Sequence, residues 1–191
     1  MSHRVCPWWL GYALVSPLRR LWQHPVKTLQ PFVGPGMVVL EPGCGMGYFT
    51  LDLARMTGPD GRVVAVDLQP KMLDGLRRRA RRAGLLERID VRLAEPTRLG
   101  LNDLVGRVDV ALALHVVHEL VSAASFFAEV HELLRPDGGL LVVEPRGHVS
   151  ESDFETTLSV ALRAGFEILR RPLVGRDRAA WLRPSGGTGA A

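Results

Sequence analysis

Three glycines at alternate positions, Gly43, Gly45 and Gly47 in the run "EPGCGMGYF", follow the acid Glu41, and a second acid, Asp67, lies twenty positions beyond the last glycine. Glycines spaced in this way let a backbone turn lie against a ligand with no side chain between them. An acid at that distance, closing a second strand, can accept both hydrogen bonds of a ribose diol. The pair of signals points to a nucleoside-containing cofactor. A dinucleotide turn has the spacing G-x-G-x-x-G, whereas here the third glycine comes one position early and Tyr48 stands where it is expected. A bulky residue there opposes close approach of a pyrophosphate. Glu41 opposes it too, because a carboxylate repels phosphate and attracts an ammonium group. S-adenosylmethionine has a ribose, an amine and a sulfonium and no phosphate, and so fits where NAD does not.

Groups that could move a proton lie further along. "HVVHEL" carries His115 and His118 three apart, with Glu119 adjacent. A zinc protease needs H-E-x-x-H, which this is not. No metal site is expected, since Cys6 and Cys44 stand far apart with no paired spacing. Histidine titrates near neutrality and can accept a proton from a nucleophile, so His115, His118 and His148 (in "EPRGHVS") are the candidate catalytic residues. The arginines Arg77, Arg78, Arg79, Arg81 and Arg82 cannot all share one helix face and read as a solvated outer surface. They have no interleaved aromatics for stacking on bases, and a nucleic-acid partner is not expected.

The elements that must position these groups alternate along the chain. Met37–Glu41 is a short apolar run between turn signals, a buried strand. "YFTLDLARM" is a helix stopped at Gly58-Pro59, Arg62–Asp67 a second strand, and "PKMLDGLRRRARRA" a helix opened by Pro70. "RIDVRLA", "RVDVALAL" and "LLVVEP" are further strands, with the helix "ASFFAEVHELL", ending at "RPDGG", before the last. "SESDFETTLSVALRAG" opens with a capping pattern at Ser150 and Asp153. "FEILRRPLV" and "AAWLRP" are joined too closely for a helical crossover and must be antiparallel. Strands apolar on both faces, alternating with helices, predict an α/β parallel sheet between two helical layers.

At 191 residues one domain is expected. The net charge of +4 is carried by arginine, with only Lys27 and Lys71 as lysines, and permits anionic partners without arguing for them. Scarce cysteine suits a reducing compartment, and no apolar run reaches the length of a membrane span, so a cytoplasmic location is expected. Residues 1–34 read as an N-terminal helical arm, 35–184 as the domain, and 185–191 as a flexible tail.

Taken in order, "LEPGCGMGYF", "VVAVDLQPKML", "RLAEPTRL", "RVDVALALHVVHEL" and "HELLRPDGGLLVVEP" resemble the successive motifs of the class I S-adenosylmethionine-dependent methyltransferases, and "ALRAGFEIL" resembles their closing helix and strand. The flavour is that of the small-molecule enzymes of ubiquinone and menaquinone biosynthesis and of arsenite methylation. The resemblance implies a Rossmann-like three-layer sandwich whose seven-stranded sheet is mostly parallel, with the last strand inserted antiparallel. It implies methyl transfer from S-adenosyl-L-methionine to a small-molecule acceptor by in-line displacement, leaving S-adenosyl-L-homocysteine. Gly43, Gly45 and Gly47 would then approach the methionine part and the sugar, Glu41 the amine side, and Asp67 the ribose hydroxyls. Leu68 and Met72 would pack near the adenine, with Glu95 and Pro96 at its other edge. Leu114 and His115 would face the sulfonium. The arm, with "PWWLGY", is the expected lid of the acceptor site. A cofactor-binding protein without catalysis, a partner subunit, and a nicotinamide-dependent oxidoreductase remain as alternatives, and the oligomeric state is not legible.

Overall fold

The computed structural model describes residues 25–186, in chain order α1 (Pro25–Leu29), β1 (Val38–Pro42), α2 (Thr50–Met56), β2 (Arg62–Asp67), α3 (Pro70–Arg82), β3 (Ile89–Leu93), β4 (Val108–Leu114), α4 (Ala123–Leu133), β5 (Leu134–Glu144), α5 (Glu151–Arg163), β6 (Phe166–Arg170) and β7 (Arg178–Pro184). β2 shows why the chain forms a sheet covered on both faces. Successive strand side chains point to opposite faces. Val63 and Ala65 join one core, with Leu53, Leu73 and Leu76 of α2 and α3. Val64 and Val66 join the other, with Phe127, Phe154 and Leu158 of α4 and α5.

The strand order is β3-β2-β1-β4-β5-β7-β6. The first five strands run parallel, and β7 is antiparallel to both its neighbours, as the sequence leads one to expect. β1 lies between β2 and β4, so the direction of progression reverses there. A crevice opens at the carboxyl ends of β1 and β4, the general position of ligand sites in such sheets.

Local chemistry sets the element ends. Pro70 opens the first turn of α3. The Ser150 Oγ accepts from the Asp153 amide at 3.1 Å and donates to its carboxylate at 2.6 Å, capping α5. Two expectations need correction. The strand expected at "LLVVEP" begins earlier, at Leu134, so that "RPDGG", where the helix was expected to end, belongs to β5. Leu134 pairs with Val108 and Gly139 with Val110, so the intervening residues bulge from the strand. β6 stops at Arg170 rather than Val174, where Pro172 offers no N–H to a ladder, and a Val174–Asp177 bridge closes the turn that follows.

Of the expected arm only α1 and its connection to Gly34 are described; "PWWLGY" and its proposed lid role lie outside the described residues, as does most of the expected tail. Ser185, at the start of that tail, is bonded to the Gly165 carbonyl through its amide at 2.7 Å and its hydroxyl at 2.6 Å. Among the described residues no helix is long and apolar enough to cross a membrane.

Candidate functional site

β1 delivers the chain to the crevice and the glycine turn begins there. The amides of Gly43 and Cys44 donate to the Val66 carbonyl at 2.8 and 3.0 Å, which ties the turn to the end of β2. Gly43, Gly45 and Gly47 have φ of 71°, 54° and 80°, a region costly to any side chain. A Cβ on Gly43 would stand 2.6 Å from Val116 Cγ2, whereas one on Gly45 would meet nothing within 4 Å. Gly45 therefore leaves open space in front of the turn.

Two acids flank that space. Asp67 accepts from the Gly45 amide at 2.9 Å through Oδ2 and from the Gln69 amide at 2.8 Å through Oδ1. Each oxygen keeps a further lone pair. Burial raises the Asp67 pKa above the usual aspartate value, and the amides of Gln69 and Gly45 oppose that rise. Glu41 is only 3% exposed and accepts from Thr50 Oγ1 at 2.5 Å. Burial, with a smaller contribution from the charge of Asp67, pushes its pKa up to about 8, against the opposing Thr50 hydrogen bond.

The raised value makes a prediction about stability. A folded-state pKa above the unfolded one favours folding at low pH, and the advantage is lost as pH rises from about 4.5 to about 8. The unfolding free energy measured in urea should fall across that window by several kcal/mol, an order-of-magnitude figure. Glu41→Gln should lose much less. Parallel pH profiles for the two proteins would exclude this assignment.

The other end of the crevice is built by β4, β5 and the β6–β7 turn. His115 follows β4 with φ 60°, the one non-glycine positive φ among the described residues. Its Nε2 lies 2.8 Å from Asp177 Oδ2. His118 sits in a single helical turn, Val117–Glu119, with Nδ1 hydrogen-bonded to Glu144 Oε2. Glu144, at the end of β5 and 1% exposed, also accepts from the Val117 amide at 2.8 Å. The hydrogen bond that His118 donates to Glu144 raises the His118 pKa above its usual value, and partial burial works against it. His148 stands edge-on to His118, ring centres 6.0 Å apart.

One cavity of about 400 Å³ joins the two ends, a size suited to a small organic ligand. Glu41, Gly43, Gly45, Asp67, Leu68 and Met72 line it on the glycine side, Glu95 and Pro96 at the rim after β3, and Leu114, His115, His118 and His148 beyond. Gly47 is the expected site residue that does not line it, because it turns toward α3, where a Cβ would stand 2.4 Å from Leu76 Cδ1. Among the described residues no group of three metal-ligating side chains could hold an ion.

A family described as "Methyltransferase domain" matches residues 34–173. The chain belongs to the class I S-adenosylmethionine-dependent methyltransferase family. A ubiquinone biosynthesis O-methyltransferase of Azorhizobium caulinodans is 34% identical over 140 residues, 73% of this chain and 51% of that protein. An uncharacterized 37.1 kDa protein in transposon TN4556 of Streptomyces fradiae is 30% identical over 148 residues, 76% of this chain and 41% of that one. The chain thus spans about half the length of the curated relatives it matches. Among solved structures, a SAM dependent methyltransferase from Aquifex aeolicus shares the fold, with a TM-score of 0.84 and 24% identity over 94% of this chain and all of that one.

S-adenosylmethionine is the cofactor of this methyltransferase family, and the site is chemically suited to it. The carboxylate oxygens of Asp67 and the buried carboxyl of Glu41 offer hydrogen-bond acceptors, and Gly45 leaves open space between them and solvent, a setting suited to hydroxyl and ammonium donors. Sequence reasoning missed Glu144, Asp177 and Thr50. One signal was available for Glu144: "VVEP" at the end of β5 repeats the "VLEP" that ends β1. Asp177 reads as an ordinary turn acid, and nothing local marks it.

Proposed function

We propose that this chain catalyses methyl transfer from S-adenosylmethionine to a small-molecule acceptor, with His118 as general base. One observation carries the reading: a single cavity joins the acid-and-glycine end, Asp67 and Gly45, to the histidine–carboxylate pair His118 and Glu144. Asp67 would hold the ribose hydroxyls, Gly43 and Gly45 the sugar and methionine portions, and Glu41 the ammonium side. Leu68 and Met72 would pack on the adenine, with Glu95 and Pro96 along its edge. Leu114 and His115 would border the reacting centre.

When bound, the cofactor supplies a methyl group activated on a sulfonium. The chain's own contribution is to hold the acceptor in line and to exclude water. A carboxylate only accepts hydrogen bonds, so Glu144 keeps the proton on Nδ1 of His118 and leaves Nε2 unprotonated, 4.0 Å from Glu119 Oε1. Nε2 takes the proton of the acceptor nucleophile, and Glu144 stabilises the imidazolium that results. His148 stands close enough to shape the same space. The volume of the cavity, about 400 Å³, suits a small-molecule acceptor, and the buried free thiol of Cys44 is compatible with a reducing cytoplasm.

The test is a thermal-shift titration with S-adenosylmethionine, S-adenosylhomocysteine and NAD in parallel. A hundredfold excess over Kd should raise the melting point by about 5–10 °C for the two adenosyl compounds, with no shift for NAD. A shift with NAD alone would overturn the reading, and silence from all three would favour a non-catalytic domain.

A further inference from the structure

We propose that Arg79 is a positioning residue for the cofactor, holding the glycine turn from behind; the proposal rests on the S-adenosylmethionine reading above. Met72, Gly75, Leu76 and Arg79 follow the i, i+3, i+4, i+7 spacing that places residues on one helix face. That face of α3 meets the turn along its length. Met72 forms cavity wall. A Cβ on Gly75 would lie 2.7 Å from Met46 Cγ, and one on Gly47 2.4 Å from Leu76 Cδ1. Glycine is a poor residue for a helix interior, so its presence at 75 is accounted for by this close approach.

Arg79 ends the stripe. Its Nη1 donates to the Gly47 carbonyl at 2.9 Å and to the Met46 carbonyl. Hydrogen bonds from an ionised donor are stronger than neutral ones, and the guanidinium is rigid and planar. One group therefore fixes two successive peptide planes of the turn and draws their oxygens onto α3. Arg78, Arg81 and Arg82 on the same helix are exposed and fit the solvated surface that the sequence suggests. Arg79 departs from it because its position puts it on the inner face.

The experiment is calorimetric titration with S-adenosylhomocysteine of the wild-type chain, Arg79→Ala and Arg82→Ala. Losing a charged hydrogen-bond donor should weaken Arg79→Ala about 10-fold or more, with Arg82→Ala within twofold of wild type. Millimolar methylguanidinium should restore part of the loss in Arg79→Ala. S-adenosylmethionine should weaken alongside S-adenosylhomocysteine. A role through charge alone would instead tighten the cationic cofactor relative to its product and would overturn the proposal. Amide hydrogen exchange on the ligand-free proteins should show residues 45–49 exchanging faster in Arg79→Ala while β4 and β5 stay protected. This arm decides whether Arg79 braces the turn even if the wild-type chain fails to bind the ligand, a failure that would sink the cofactor reading instead. Should Arg79→Ala not fold, Arg79→Lys keeps the stem and charge and should give a smaller loss of the same kind. Affinity within twofold of wild type, or unchanged exchange at 45–49, would refute the positioning role.

Discussion

Asp67→Ala weakens S-adenosylhomocysteine binding about 100-fold or more, with the fold retained. The size of the effect comes from two losses at once. The carboxylate is the only described group bonded to both the Gly45 and the Gln69 amides through its side chain, so its removal loosens the turn. It also removes the acceptors for two ribose hydroxyls, and a hydrogen bond to a charged group contributes more than a neutral one. Asp67→Asn should fall between, since its carbonyl can replace one acceptor and its amide none. Calorimetry gives the affinity and urea unfolding the stability. Affinity within twofold of wild type would remove the ribose assignment.

His118→Ala lowers kcat by about 10²–10⁴-fold, the usual contribution of a positioned base, and leaves cofactor affinity within twofold. The pH dependence separates a base from a structural residue. His118 must be neutral to accept a proton, and its bond to Glu144 raises its pKa above the usual histidine value. The rate should therefore rise with pH through a value above about 6.5 and then level. Glu144→Gln is the sharper variant. Its oxygen can still accept from the Val117 amide, but its NH₂ facing Nδ1 forces the proton onto Nε2, where it blocks proton abstraction. The plateau should drop nearly as far as in His118→Ala. A full rate in either variant would make the pair structural.

The glycine turn and the acid bonded to it were legible because they lie close in sequence and are local in kind. A turn that needs positive φ demands glycine, and β2 ends at Asp67 wherever its apolar run ends. The pairing of the histidines with their carboxylates was not legible. Glu144 lies 26 residues from His118 and Asp177 62 residues from His115. Only the sheet order, with β5 beside β4 and β7 beside β5, brings them together. Arg79 was misread for a different reason. Five arginines on one helix look equivalent until packing shows which of them faces inward. The β5 bulge escaped because "RPDGG" has turn chemistry whether or not a ladder continues beyond it.

The placement of β7 has a bearing on synthesis. It is the seventh of the described strands in chain order but the sixth across the sheet, bonded to β5 on one side and β6 on the other. A growing polypeptide can complete the parallel portion, with its ligand turn, while β5 still has one bare edge and β6 has no neighbour. Unpaired edges invite association with other strands. Asp177 immediately precedes the inserted strand, so the contact that restrains His115 is among the last to form. The two halves of the cavity therefore depend on different pairings: the glycine turn needs only the parallel strands, whereas the contact between His115 and Asp177 also needs β7 in its gap.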